Sequence, residues 1–232
     1  MKPICFIGAR GGSKGVPNKN LRLLAGKPLI SYAITSALES DLFGSVIIST
    51  EDTKIAEVAR KYGADVPFLR PRKLATDNAS MNDVMIHGIK KLRSLGYNFD
   101  ILVNRDCTVP FLRNLDIDNS IKLLKKGNCD AVLGVYRQHH NPYFNMMELD
   151  SRGFLKMSKK LSDQPMTRQD SPVVYQVNGL YTLFVDKLLK HKRVLNIPRI
   201  LPYEITPETG FMIDTEFEFQ IADLIARKKI KI

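Results

Sequence analysis

An alternation constrains this chain more than any other feature: short, continuously apolar runs exchange with stretches whose apolar residues recur at helical spacing. "PICFIGA" (3–9), "GSVIIST" (44–50), "FDILVNR" (99–105) and "DAVLGVY" (130–136) read as strands buried on both faces. Between them, "KPLISYAITSALES" (27–40) sets Leu29, Ile30, Ala33, Ile34, Ala37 and Leu38 on one helical stripe. "EDTKIAEVARKYG" (51–63) is a helix closed by a terminal glycine, and further helices are expected over 81–95 and 115–127. Strand–helix exchange over about the first 135 residues predicts an α/β fold with a mainly parallel sheet flanked by helices. Ligands of such sheets sit beyond the carboxyl ends of the strands. Three polar stretches fall there, 9–20, 49–53 and 104–113, and are expected to share one site.

The rhythm breaks from about 137 to 176, where "RQHHNPYFNMMELDSRGFLKMSKKLSDQPMTRQDSPVVYQ" mixes short strands and loops with aromatics and methionines. Such residues suit a flexible apolar interface. Strand character resumes at 177–185, followed by a short helix at 186–192, a strand at 200–205 and an amphipathic helix from Asp214 that opens on acids. No internal repeat or linker interrupts the 232 residues, so the reading is a single domain, 1–232, with an inserted segment of about 137–176. No apolar run approaches the roughly 20 residues needed to span a bilayer, and the apolar start is too short for a signal peptide; a cytoplasmic protein is expected, without membrane association. Cys5, Cys107 and Cys129 lack disulfide or zinc spacing and are expected as small buried residues. His87 falls within a helix and is expected to be structural, whereas adjacent His139 and His140 would point opposite ways in extended backbone and make a poor metal pair.

The loop after the first strand, "ARGGSKGVPNKN" (9–20), holds three glycines, a proline and three cations. Gly11, Gly12 and Gly15 allow main-chain N–H groups to converge, Ser13 adds a hydroxyl donor, and Arg10, Lys14 and Lys19 supply charge. That composition points to phosphate binding; the alternative is a solvated charged turn. The spacing is neither the Walker loop nor G-x-G-x-x-G, which argues against a dinucleotide. The chain's net charge of +11, from 35 Lys+Arg against 24 Asp+Glu, favours acidic ligands without choosing among them.

"ARGGSKGVPNKN" followed by "LAGKPLISYAI" (24–34) resembles the N-terminal signature of the acylneuraminate cytidylyltransferases, the CMP-sialic acid synthetases. The resemblance continues in order through "VIISTEDTKIAEVARKYGADVPFLRP", "LATDNAS", "TVPFLR", "RQDSPVVYQVNGLYTL" and "IDTEFEFQIAD", nearly the whole chain. It implies a Rossmann-like nucleotidyltransferase fold and the reaction of CTP with a nine-carbon 2-keto sugar acid to give the CMP-sugar and pyrophosphate. By position, Arg10, Ser13, Lys19 and Asn20 would hold the triphosphate, with Lys19, Arg168 and Arg10 acting catalytically. Arg70, Ala79 and Ser80 would read the cytidine, Arg168 and Gln169 would reach the sugar from the inserted segment, and Asp214 would bind Mg2+. The resemblance also implies a homodimer joined through the insertion.

The sequence departs from the family in two places. Where the family places two metal-binding aspartates as Asp-x-Asp, this chain has Met212 and Asp214, leaving Glu216 or the phosphates to compensate. Where it often reads Gln-Pro-Thr-Ser-Pro, this chain reads "DCTVP", putting Asp106 at the place of a sugar-contacting glutamine. An ionised carboxylate only accepts hydrogen bonds, which points to a sugar other than N-acetylneuraminic acid, such as a diamino nonulosonic acid of the legionaminic or pseudaminic type. Asp106 turned away to pair with Arg105 is the other reading. Two rivals stay open: a same-fold nucleotidyltransferase for another base or sugar (Kdo, a guanylyl donor), and a non-catalytic nucleotide- or nucleic-acid-binding module. The loop differs from the Kdo motif, and no stacking strand or recognition helix supports nucleic acid as a partner.

Overall fold

In a computed structural model, which describes residues 1–229, the alternation becomes a six-stranded sheet between two layers of helices. The elements run β1 (Ile4–Gly8), β2 (Leu23–Leu24), β3 (Lys27–Pro28), α1 (Leu29–Leu38), β4 (Ser45–Ser49), α2 (Thr53–Lys61), α3 (Met81–Ser94) and β5 (Ile101–Arg105). After them come α4 (Asn114–Lys126), β6 (Ala131–Arg137), β7 (Met147–Leu149), β8 (Leu155–Met157), β9 (Tyr175–Phe184), α5 (Val185–His191), β10 (Ile200–Glu204) and α6 (Glu216–Ala226). The sheet order is β10-β6-β9-β5-β1-β4. β4, β1 and β5 pair in parallel, as do β6 and β10, while β9 runs antiparallel between β5 and β6. Five strands therefore point one way and β9 the other, so the sheet is mainly parallel with one reversed strand that periodicity could not reveal.

Strand pleating sends alternate residues to opposite faces. Cys5 and Ile7 of β1 join Ile30, Ile34 and Ala37 of α1, Ile55 and Ala59 of α2 and Ile117 and Ile121 of α4. Ile4 and Phe6 join Val84, Met85 and Ile89 of α3 and Leu188 of α5 on the far face. All three cysteines are free and buried. A third cluster lies under the loop after β1, where Val16, Leu24, Leu29, Ile213, Phe219 and Ala222 are buried together. The short β2–β3 hairpin that feeds it turns through Ala25 (φ 47°) and Gly26 (φ 84°), both left-handed as a two-residue hairpin requires. Of the basic tail 226–232, residues 230–232 lie outside the described residues.

The inserted segment leaves the sheet between two paired strands: Arg137 at the end of β6 lies opposite Tyr175 at the start of β9. It therefore emerges at the edge where β1, β4 and β5 end. Its regular structure is the antiparallel β7–β8 hairpin, whose outward residues leave Leu149, Phe154 and Leu155 exposed. Among the described residues no helix is long and apolar enough to cross a membrane.

Candidate active site

The loop 9–20 is a packed structure rather than a free turn. Val16 is fully buried and anchors its middle, a contribution of roughly 1.5–3 kcal/mol for a valine side chain. Asn18 takes a left-handed conformation (φ 51°) and accepts from the amides of Leu21 (2.9 Å) and Arg22 (3.0 Å), turning the chain back. Gly15 lies so close to the Asp214 carbonyl that a Cβ there would sit 1.9 Å from its oxygen. Any other residue at 15 would push the loop off the segment before α6.

Lys19 secures the same contact. Its buried side chain donates to the Ile213 carbonyl (2.6 Å) and lies 3.3 Å from the Asp214 carboxylate. Asn20 ties the loop to its neighbours, donating to the Arg10 carbonyl (2.9 Å) and accepting from the Cys107 thiol (2.9 Å). Burial, with the negative charge of Asp106 beside it, pushes that thiol up to about 12, so it is held as a neutral donor. Arg70 is fixed by its amide on the Thr50 carbonyl (2.7 Å) and by an ion pair with Glu51 (2.9 Å). Its Nε is buried without a partner. Glu51 also accepts from the Gly11 amide (2.7 Å), linking the loop 9–20 to the Arg70 wall.

These segments enclose a cavity of about 280 Å³ at the carboxyl ends of β1 and β5. Arg10, Ser13, Lys19 and Asn20 line it on the loop side, Arg70 and Ala79 on another, and Asp106 with Cys107 and Thr108 at the end of β5. A larger cleft of about 770 Å³ lies between the loop and the start of α2, but none of Arg10, Ser13, Lys19 and Arg70 reaches it. The smaller cavity is therefore the candidate site. Ser80 does not line it: its hydroxyl caps α3, accepting from the Asp83 amide (3.1 Å). Arg168 and Gln169 are exposed on the inserted segment and line no wall of the cavity within this chain.

Asp106 faces the cavity with its carboxylate accepting from the Thr108 amide (2.9 Å) and hydroxyl (3.0 Å). The pairing with Arg105 does not form. Arg105 is fully buried and donates instead to the main-chain carbonyl of Asp106 and, over longer distances, to Ser36 Oγ (3.4 Å) and the Leu112 carbonyl (3.5 Å). Burial pulls its guanidinium down to about 10. It fastens the loop that carries Asp106 while leaving that carboxylate to the cavity.

The carboxylates near Lys19 bear on magnesium. Met212 is partly buried against the core and offers no hard oxygen. Glu216 pairs with Arg22, and Glu218 caps α6 by accepting from the amides of Asp214 (2.8 Å) and Thr215 (2.7 Å). Asp214 is left with an exposed carboxylate, and among the described residues no cluster of three or more His, Cys, Asp or Glu could cage an ion. One carboxylate fits magnesium only as an ion held chiefly by phosphates and water, its usual condition beside nucleotides.

Sequence reasoning passed over Asp77. It lines the cavity and bridges Arg10 (2.9 Å) and Lys14 (2.8 Å), and these cations pull its carboxyl below the ordinary aspartate value. It also passed over Thr108 at the floor, where Cys107 is buried as expected. His87 packs edge-to-face on Phe68 and is held low by burial and neighbouring cations, in keeping with a structural role. His139 and His140 are both exposed.

A family model described as Cytidylyltransferase matches residues 4–192. The chain belongs to the cytidylyltransferase family. Among similar proteins, the post-translational flagellin modification protein B of Campylobacter coli is 34% identical over 230 residues, spanning 97% of this chain and 95% of its own. A CMP-N,N'-diacetyllegionaminic acid synthase of Campylobacter jejuni is 32% identical over 231 residues, again 97% and 95%. A pseudaminic acid cytidylyltransferase of the same species is 46% identical over 117 residues, half of each chain. A solved CMP:2-keto-3-deoxy-manno-octonic acid synthetase complexed with CTP superposes with a TM-score of 0.74 at 17% identity, covering 99% of this chain and all of that one, a likeness of fold. The chain is thus a nucleotidyltransferase.

Proposed function

We propose that the protein transfers CMP from CTP to the anomeric hydroxyl of a sialic-acid-like nine-carbon 2-keto sugar acid, releasing pyrophosphate. The observation that carries this is the convergence of Arg10, Ser13, Lys19, Arg70 and Asp106 on one cavity in a cytidylyltransferase whose full-length relatives include a CMP-nonulosonic acid synthase.

Arg10, Ser13 and Lys19 hold the triphosphate, and Arg70 with Ala79 frames the cytosine end. The sugar's anomeric oxygen attacks the α-phosphorus in line; its proton passes to solvent water, a P–O bond forms, and the bond from the α-phosphorus to the bridging oxygen breaks with its electron pair leaving on pyrophosphate. Positioning and charge stabilisation carry most of such a step. Lys19, held rigid by Ile213 and Asp214, presents a preorganised cation to charge gathering on the phosphates. Asp214 would hold magnesium, which when bound neutralises phosphate charge.

At the sugar end, the cavity-facing carboxylate of Asp106 favours an acid that offers N–H donors, as a diacetylated diamino nonulosonic acid does. Arg168 and Gln169 sit on the segment that leaves the sheet at the cavity's edge, and a second copy packed through that segment would bring its own pair to the sugar. The exposed Leu149, Phe154, Leu155 and Met166 (88% exposed) support homodimerisation there. Three buried free thiols suit the reducing cytoplasm.

Incubation with CTP, magnesium and N,N'-diacetyllegionaminic, pseudaminic, N-acetylneuraminic or Kdo acid, read by mass spectrometry, tests the acceptor. A CMP-linked product is expected with a diamino acid in preference to N-acetylneuraminic acid. Product with Kdo alone would overturn the sugar class, and tight CTP binding without any product would overturn the transfer.

A further inference from the structure

Two of the three loop cations are engaged by one and the same carboxylate of the chain, Asp77, while the third, Lys19, faces Asp214. One oxygen of Asp77 lies 2.9 Å from Arg10 Nη1 and the other 2.8 Å from Lys14 Nζ. A single carboxylate thus spans the phosphate loop, with one oxygen for each cation, much as two oxygens of a phosphate would. Asp77 also belongs to the 76–79 wall on the opposite side of the same cavity, next to Ala79. The bridge draws the two walls together. At about 280 Å³ the enclosed space falls just under the roughly 300–1,000 Å³ usual for ligand pockets.

We propose that Asp77 is a built-in competitor for the polyphosphate: it holds Arg10 and Lys14 in the empty site, yields them to CTP, and reclaims them as pyrophosphate leaves. This rests on the loop being the triphosphate site of the proposed reaction, and adds the residue that sets its affinity.

The relative strengths of the interactions make the exchange workable. Lys14 is largely and Asp77 about half solvent-exposed, and ion pairs of that kind are weak and readily replaced. A polyphosphate brings several charges and binds arginine through paired oxygens, a stronger interaction than one shared carboxylate. A bound triphosphate leaves Asp77 facing like charge, which favours its withdrawal and opens the wall at 76–79. The same repulsion acts on pyrophosphate after transfer, so Asp77 weakens substrate and product together and shortens the product's stay. Cytidine carries no phosphate and should not feel it.

Asp77→Asn keeps the shape and removes the charge at a half-exposed position, so folding should be preserved; Asp77→Ala is the second variant. Calorimetric titration of wild type and both variants with pyrophosphate, CTP and cytidine tests the assignment. Pyrophosphate and CTP should each bind at least about threefold more tightly to both variants, with cytidine affinity unchanged. Steady-state turnover should show stronger inhibition by pyrophosphate. Unchanged or weaker pyrophosphate binding in the variants, with wild-type turnover of CTP intact, overturns the role of Asp77 alone. Wild-type protein that binds neither CTP nor pyrophosphate overturns the proposed function itself, and this inference with it.

Discussion

Lys19 holds a structural position, and the chemical role proposed for it can be separated from that. Its ammonium holds the Ile213 carbonyl and approaches Asp214, so Lys19→Ala removes a buried hydrogen bond worth about 1–3 kcal/mol. Loss of a preorganised cation at the phosphates should cost more, on the order of 100- to 1,000-fold in kcat. Turnover compared with the unfolding midpoint checks this: activity that falls only in step with stability would remove Lys19 from the chemistry. At this scale the loop was readable because glycine, cation and hydroxyl occur together in twelve residues. Asp77 was not, since an aspartate in a polar turn carries no periodic signal and meets Arg10 and Lys14 only through tertiary folding. Ser80 and Ala79 are sequence neighbours, yet the first caps a helix and the second walls the cavity.

Among the elements, β6, β10 and α5 are joined through Asp130. Its carboxylate accepts from Arg199 Nε (3.0 Å) and Nη2 (2.9 Å) and lies 3.3 Å from Lys187. The hydrogen bonds from Arg199, with Lys187 beside it, hold that carboxyl down to about 2. A depressed folded-state value means the stabilisation is present above the ordinary aspartate range and is lost as pH falls toward the folded value. Asp130→Asn should therefore lower Tm near neutral pH, with the gap to wild type closing as pH drops from about 4 toward about 2. A gap that persists in acid would mean that packing, not charge, joins these elements. Most of them were readable from the sequence: the strands and helices up to β6 lie within a few residues of their apolar patterns. The direction of β9 was not, because a doubly buried strand looks the same whichever way it runs. The β2–β3 hairpin was too short to show a period, and its turn depends on Ala25 adopting a conformation that favours glycine.

For the whole molecule, topology and charge bear on assembly. The sheet brings the carboxyl ends of β1, β4 and β5 and the root of the inserted segment to one edge, so catalysis and dimerisation would share a border. Replacing Leu149 and Phe154 together by Asp, at exposed positions that carry no core, should convert a dimer to a monomer in sedimentation and lower turnover. A monomeric wild type, or a variant still dimeric, would contradict that border. The positive balance of the chain fits a cleft that must gather a triphosphate and a sugar acid. The most direct test of the central claim is pyrophosphate release with magnesium and N,N'-diacetyllegionaminic acid, comparing CTP with GTP, UTP and ATP. Release with CTP, at least tenfold faster than with any other nucleotide, is the expected result. Equal release from all four, or none from CTP when the acid is present, would contradict it.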